Sequence, residues 1–191
     1  MKNYFYKKNF YFRNFYVHPS KFLLWLFIVT IIMMFIALTS AYIVKKSHGD
    51  WFNFDLPFLL WLNSFIIFLS SIFIQFSYFF LKKKKFFLFY FFLIFTLFLS
   101  FFFLFGQYNV WLNLMSQNVY FSGNPSGSFF YVFTGLHAIH LIIGIFSIIF
   151  ILVYCLLNFK KKIFYLKMCA TYWHFLGLLW IYLFLFLILN H

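Results

Sequence analysis

Histidines in two apolar stretches are the residues of this sequence best placed to do chemistry. His137 and His140 lie in Thr134-Gly135-Leu136-His137-Ala138-Ile139-His140, and His174 lies in Thr171-Tyr172-Trp173-His174-Phe175. Titratable side chains are expensive in hydrocarbon, so each needs a reason to be there. Three imidazoles on neighbouring helices could bind zinc or copper, and two facing across a cavity could ligate haem. They could also line a proton path, touch lipid headgroups or hydrogen-bond between helices. Ligating histidines are normally oriented by a carboxylate or a similar partner. The two acids of the chain, Asp50 and Asp55, lie in a connection instead. A proton path would place charged side chains along the apolar runs, and the first four runs have none in their interiors. The expected role is packing or lipid contact, with no metal and no cofactor held by this chain.

The elements that position these residues follow from composition. The chain of 191 residues is 66% hydrophobic and only 9% charged, with 38 Phe, where a soluble domain has about 25% charged residues. Phe, Lys, Asn, Ile and Tyr share A- and T-rich codons, so their abundance says little; Gly, His, Trp and Pro are more informative. Five apolar runs reach the roughly 20 residues needed to cross a bilayer: 22–44, 56–80, 86–105, 129–157 and 164–189. The expected fold is all-α, a polytopic membrane protein with five transmembrane helices in one bundle (22–190), preceded by a basic segment (1–21).

The net charge of +13 marks topology rather than a nucleic-acid partner. Lys2, Lys7, Lys8, Arg13 and Lys21 precede the first run, Lys82 to Lys85 separate runs two and three, and Lys160, Lys161, Lys162 and Lys167 separate or open runs four and five. The intervening connections hold only Lys45 and Lys46. Positively charged loops stay inside, which predicts the N-terminus inside and the C-terminus outside. No cleavable leader is expected, and Cys155 and Cys169 read as apolar thiols rather than metal ligands.

Taken at 100° per residue, each run carries a stripe of small or polar residues: Thr30, Ala37, Ala41; Ser64, Ser71, Gln75; Thr96, Ser100, Gln107; Thr134, His137, His140, Gly144, Ser147; and Ala170, Trp173, His174, Gly177, Trp180. Membrane helices associate through such residues, so the stripes should face the bundle interior or a partner. Trp25, Trp173 and Trp180 are candidate anchors to lipid or to another subunit. In the Ser122–Ser128 loop, Ser128 is expected to cap the fourth helix.

The blocks Thr134-Gly-Leu-His-Ala-Ile-His-Leu-Ile-Ile-Gly144 and Ala170-Thr-Tyr-Trp-His-Phe-Leu-Gly-Leu-Leu-Trp180 closely resemble the last two helices of subunit III of haem-copper oxidases, typically cytochrome c oxidase. His18-Pro19 through Ile43 resembles the first helix of the shorter, five-helix bacterial form, and Gly123–Ser128 resembles its loop. The resemblance implies a subunit without redox centres, in an oxygen-reducing, proton-pumping respiratory complex of the bacterial inner membrane; a mitochondrial location fits less well. Haem and copper would sit in subunits I and II. This chain would pack on subunit I, bind phospholipid and support proton uptake and complex lifetime. Thr134, His137, His140, Gly144, His174 and Gly177, with the three tryptophans, would be its lipid or subunit contacts. A quinol oxidase subunit III shares the fold, and a stand-alone transporter is the alternative of another class. Three carboxylates common in the family are replaced here, by Ile31, Lys167 and Gly177, so a proton role tied to them is not expected.

Overall fold

The computed structural model describes residues 19–49, 51–52, 54–157 and 162–190, and of Lys162 the backbone alone. The basic segment before Pro19 and the lysines at 160 and 161 lie outside the described residues. Among these there are five helices and no strand: α1 (Pro19–Ser47), α2 (Leu59–Lys82), α3 (Phe86–Ser116), α4 (Pro125–Leu157) and α5 (Lys162–Asn190). Each is long and apolar enough to cross a membrane, and the chain is a multi-pass membrane protein.

The helices form a ring with one helix outside it. α2 packs on α3 and α5, and α4 packs on α3 and α5, closing a four-membered bundle; α1 touches only α4 and α5. It does so through Ile28, Ile31, Phe35, Thr39 and Tyr42, whose spacing of three and four places them on one helical face. The small stripe of α1 is on its other side: Thr30, Ala37 and Ala41 are exposed. Large apolar side chains fill the shallow seat between α4 and α5, and the small residues are left outward. In α3 the stripe does turn inward, with Thr96, Ser100 and Gln107 all buried.

α3 and α4 outrun their apolar runs by four residues or more at one end. α3 continues eleven residues past Phe105, and its polar continuation packs against α2, where Asn63 donates to Gln107 Oε1 at 3.4 Å. Gly106 makes room for that amide, since a Cβ there would collide with the Asn63 side chain. α4 begins four residues earlier than its apolar run, at Pro125, a residue whose fixed φ and missing N–H suit the first helical position. The cap is Asn124, whose Oδ1 accepts from Ser126 N at 3.1 Å. Ser128 is therefore not the cap: its own N–H already makes a helical bond to Asn124 O, at 3.1 Å.

α2 and α3 are joined by Lys83, Lys84 and Lys85. Lys85 N donates to Phe80 O and Lys84 N to Leu81 O, both at 3.0 Å, the bond pair of a Schellman C-terminus. That motif needs a left-handed residue, and Lys84 supplies it with φ 59°, a region that glycine and asparagine enter more easily. Lys84→Asn should therefore raise the stability of the purified protein, by up to about 1 kcal/mol; an unchanged or lowered thermal midpoint would contradict this.

Candidate functional site

The three histidines face three different neighbours. His137 is fully buried, with its ring 5.8 Å from Phe103 of α3 and 5.0 Å from Trp180 of α5, centroid to centroid. Neither of its ring nitrogens has a hydrogen-bond partner among the described residues, and the same holds for Gln107 Nε2. His140 turns toward α1, between Phe27 at 6.4 Å and Phe35 at 6.2 Å. Its Nδ1–H donates to Leu136 O at 2.7 Å, while Tyr172 Oη donates to His140 O at 3.1 Å. His174 lies on the opposite flank, where Nε2–H donates to Gln75 Oε1 of α2 at 3.2 Å.

Three residues along a helix turn by about 300°, which is enough to send His137 and His140 to different partners. No three His, Cys, Asp or Glu among the described residues gather where a metal could bind. The imidazoles do not face one another as haem ligands would, and these three histidines do not fit a haem or copper centre. A buried polar group without a partner is costly. His137→Leu should accordingly leave stability unchanged or raise it; a loss above about 2 kcal/mol in thermal unfolding would show that the ring is hydrogen-bonded in the working protein.

The tryptophans tie the ring of helices together. Trp173 Nε1 donates to Ser70 Oγ and Trp180 Nε1 to Ser64 Oγ, both at 3.0 Å, linking α5 to α2. Trp111 Nε1 donates to Thr134 Oγ1, also at 3.0 Å, linking α3 to α4. Each hydroxyl in turn donates to its own helix: Ser70 to Ile67 O, Ser64 to Leu60 O and Thr134 to Phe130 O. This spends both polar functions of the pair and leaves the helix ladder intact. Gly144 is the notch for Trp173, because a Cβ there would stand 3.0 Å from Cζ3 of that indole. Gly177 similarly faces Ser71 Oγ, 3.0 Å from where its Cβ would be.

Thr134, His137, Gly144, Trp173, Gly177 and Trp180 are thus buried against other helices of the same chain. Of the expected contact residues, Trp25 is exposed, and His140 and His174 are half-buried. Sequence reasoning passed over Asn63, Ser70, Trp111 and Tyr172, which make four of the interhelical bonds. The signal available was polarity inside an apolar run, clearest at Asn63, which is 1% exposed.

A cleft of about 270 Å³ opens between α1, α4 and α5, lined by Leu24, Phe27, Phe150, Met168, Cys169 and Tyr172 among others. Its walls are apolar apart from a few side-chain tips, including Ser147 Oγ, 3.2 Å from Cys169 Sγ. Lys21 stands one turn above Leu24 with Nζ 5.4 Å from the Phe164 ring centroid. Apolar walls below a cation suit an acyl chain below a phosphate.

No family model matches the chain. It is 30% identical over 184 residues to the "Cytochrome bo(3) ubiquinol oxidase subunit 3" of Buchnera aphidicola subsp. Schizaphis graminum, covering 87% of this chain and 92% of that protein. It is 35% identical over 94 residues to the "Cytochrome c oxidase subunit 3" of Artemia franciscana, which spans 49% of this chain and 35% of the relative. A third similarity, 34% over 91 residues, is to the "Probable cytochrome c oxidase subunit 3" of Mycobacterium tuberculosis, at 47% and 45% coverage.

Proposed function

We propose a role for this chain from one premise: it belongs to the haem-copper oxidase subunit III family. It is the redox-centre-free subunit of a respiratory terminal oxidase, packing on subunit I and holding phospholipid, while subunits I and II carry haem and copper. The observation that carries the reading is a likeness running through all five helices to a protein of nearly the same length. The separate directions of the three histidines and the lipid-shaped cleft between α1, α4 and α5 agree with it. In this reading the α2–α3 turn faces the cytoplasm of a bacterium, the complex lies in its inner membrane, and the chain serves oxygen reduction and proton pumping by stabilising the subunit that performs them.

Two electron donors fit. Cytochrome c is the donor named for the partial relatives, and a quinol is the donor named for the relative matched along its length. The second reading gains from that coverage. Purifying the complex through a tag on this chain tests both. Co-isolated haem is expected; copper in subunit II with cytochrome c turnover selects the first donor, and quinol turnover without that copper selects the second. A haem-free preparation would overturn the assignment.

Support of proton uptake, if this chain gives it, acts without intramembrane acids of its own. Its only carboxylates are Asp50, Asp55 and the C-terminus. A hydrophobic carbodiimide should therefore leave the membrane-embedded helices unlabelled, as peptide mass spectrometry would read; an adduct within any helix would contradict this.

A further inference from the structure

We propose that the Lys82–Lys85 turn and the phenylalanine groove beside it on α3 form a surface site for an anionic phospholipid, with the headgroup on the lysines and an acyl chain along α3. The site is separate from the cleft between α1, α4 and α5 and does not depend on the oxidase assignment.

The first observation is charge without a nearby counter-charge among the described residues. Four consecutive exposed lysines crowd one turn. Asp50 and Asp55 precede α2 while Lys82 ends it. The 24 residues of α2 set Asp55 and Lys82 roughly 36 Å apart, several times the Debye length of about 8 Å. Anionic lipids attract such juxtamembrane clusters.

The second observation is backbone strain. Lys84 holds a left-handed conformation that lysine disfavours. Among the described residues the other non-glycine with positive φ is Asn118, at 61°, and asparagine shares lysine's A- and T-rich codons. Backbone preference would favour asparagine at 84, whereas a requirement for charge would favour lysine. The positive-inside rule accounts for basic residues on this side of the membrane, not for one at the strained position.

The third is a seat for the chain. Phe87, Phe91, Ile94, Phe95 and Phe98 are exposed on α3, at spacings that share a face. The last four line a groove of about 340 Å³. It starts about 9 Å and ends about 20 Å from Lys85 along the helix, comparable to the roughly 15 Å of hydrocarbon in one leaflet. Lys83 folds back with Nζ 4.1 Å from the Phe79 ring centroid, keeping its ammonium at the polar boundary over an apolar base. A free phosphate would use the turn alone; the groove argues for a lipid.

The test uses the full chain, purified with the partners that hold it, in nanodiscs of phosphatidylcholine containing spin-labelled phosphatidylglycerol or, for reference, spin-labelled phosphatidylcholine. Phosphatidylglycerol should be enriched at the protein. Lys83→Gln and Lys85→Gln should each cut the preference about fivefold, Lys→Arg at the same positions should keep it, and Lys45→Gln on the opposite side should not change it. Lys84→Asn gives the sharpest reading: it should raise stability yet lower the lipid preference, and a stability gain alone would count against the site. Ile94→Trp, which fills the groove, should also displace the lipid with all lysines intact. An unchanged preference in the Gln variants overturns the proposal. So would displacement by inorganic phosphate with no effect of Ile94→Trp, or a map of the complex showing a protein helix in the groove. The lipid preference is read whether or not haem co-purifies, so failure here is distinct from failure of the oxidase assignment.

Discussion

Replacing Gly144 by leucine should nearly abolish recovery of the folded chain. The missing Cβ is the space occupied by Trp173, with Cζ3 of the indole 3.0 Å and Leu176 Cδ1 3.2 Å from where it would stand. Trp173 is 1% exposed and fixed by its hydrogen bond to Ser70, so it cannot yield without losing a bond across the ring. Overpacking of this kind costs about 1–3 kcal/mol where neighbours can shift, and here both neighbours belong to the same buried layer. In lipid the closeness of helices is itself the source of their attraction, so separating α4 from α5 loses contacts along both helices. Membrane yield and thermal midpoint of the tagged protein measure the outcome. Gly144→Ala should be intermediate, and a Leu variant with normal yield would show that α4 and α5 are not packed at this point.

Trp180→Ala should be comparably damaging for the opposite reason. This indole packs edge-on against Phe103 at 4.9 Å, covers His137 and donates to Ser64. Its removal opens a cavity at the contact of α2, α3 and α5, for which about 3–5 kcal/mol is typical. Trp180→Phe keeps most of the volume and loses the hydrogen bond, so about 1 kcal/mol is expected. Trp25→Ala, on an exposed surface of α1, should fall within about 0.5 kcal/mol. If the three substitutions lowered the thermal midpoint equally, Trp180 would not be a core residue.

The five helices were legible because apolar length and the placement of lysine are properties of the chain alone. So was the inward face of α3. What could not be read was which neighbour each face meets. Ser70 and Ser71 are adjacent in sequence, yet Ser70 receives Trp173 while Ser71 lies against Gly177; a one-residue difference exceeds what an arc drawn at 100° per residue resolves. Which of the two sides the stripe of α1 takes was not legible for a related reason. In water an apolar face must find cover, whereas in lipid large side chains can lie on either side of a helix. Ile31 and Phe35 therefore went inward and Ala37 outward without contradicting any pattern in the sequence. The helix ends escaped because Gln107 and Asn124 act through partners, Asn63 in another helix and Ser126 within the same turn.

The place of α1 outside the ring has a consequence for synthesis. It leaves the ribosome before the other four described helices, but among them it touches only α4 and α5, and its Tyr42 and Lys46 both donate to the carbonyl of Asn190, in the last turn of α5. At the usual 5–20 residues per second, α1 waits on the order of ten seconds in the bilayer before its seat exists. The ring can close in chain order, each hairpin finding its neighbour as it emerges. The oldest helix docks last, and its clasp forms only when the fifth helix is in place to the end. A chain that stalls in α5 would leave α1 with its α4 contacts alone, and Thr39 without the Tyr182 hydroxyl that donates to it.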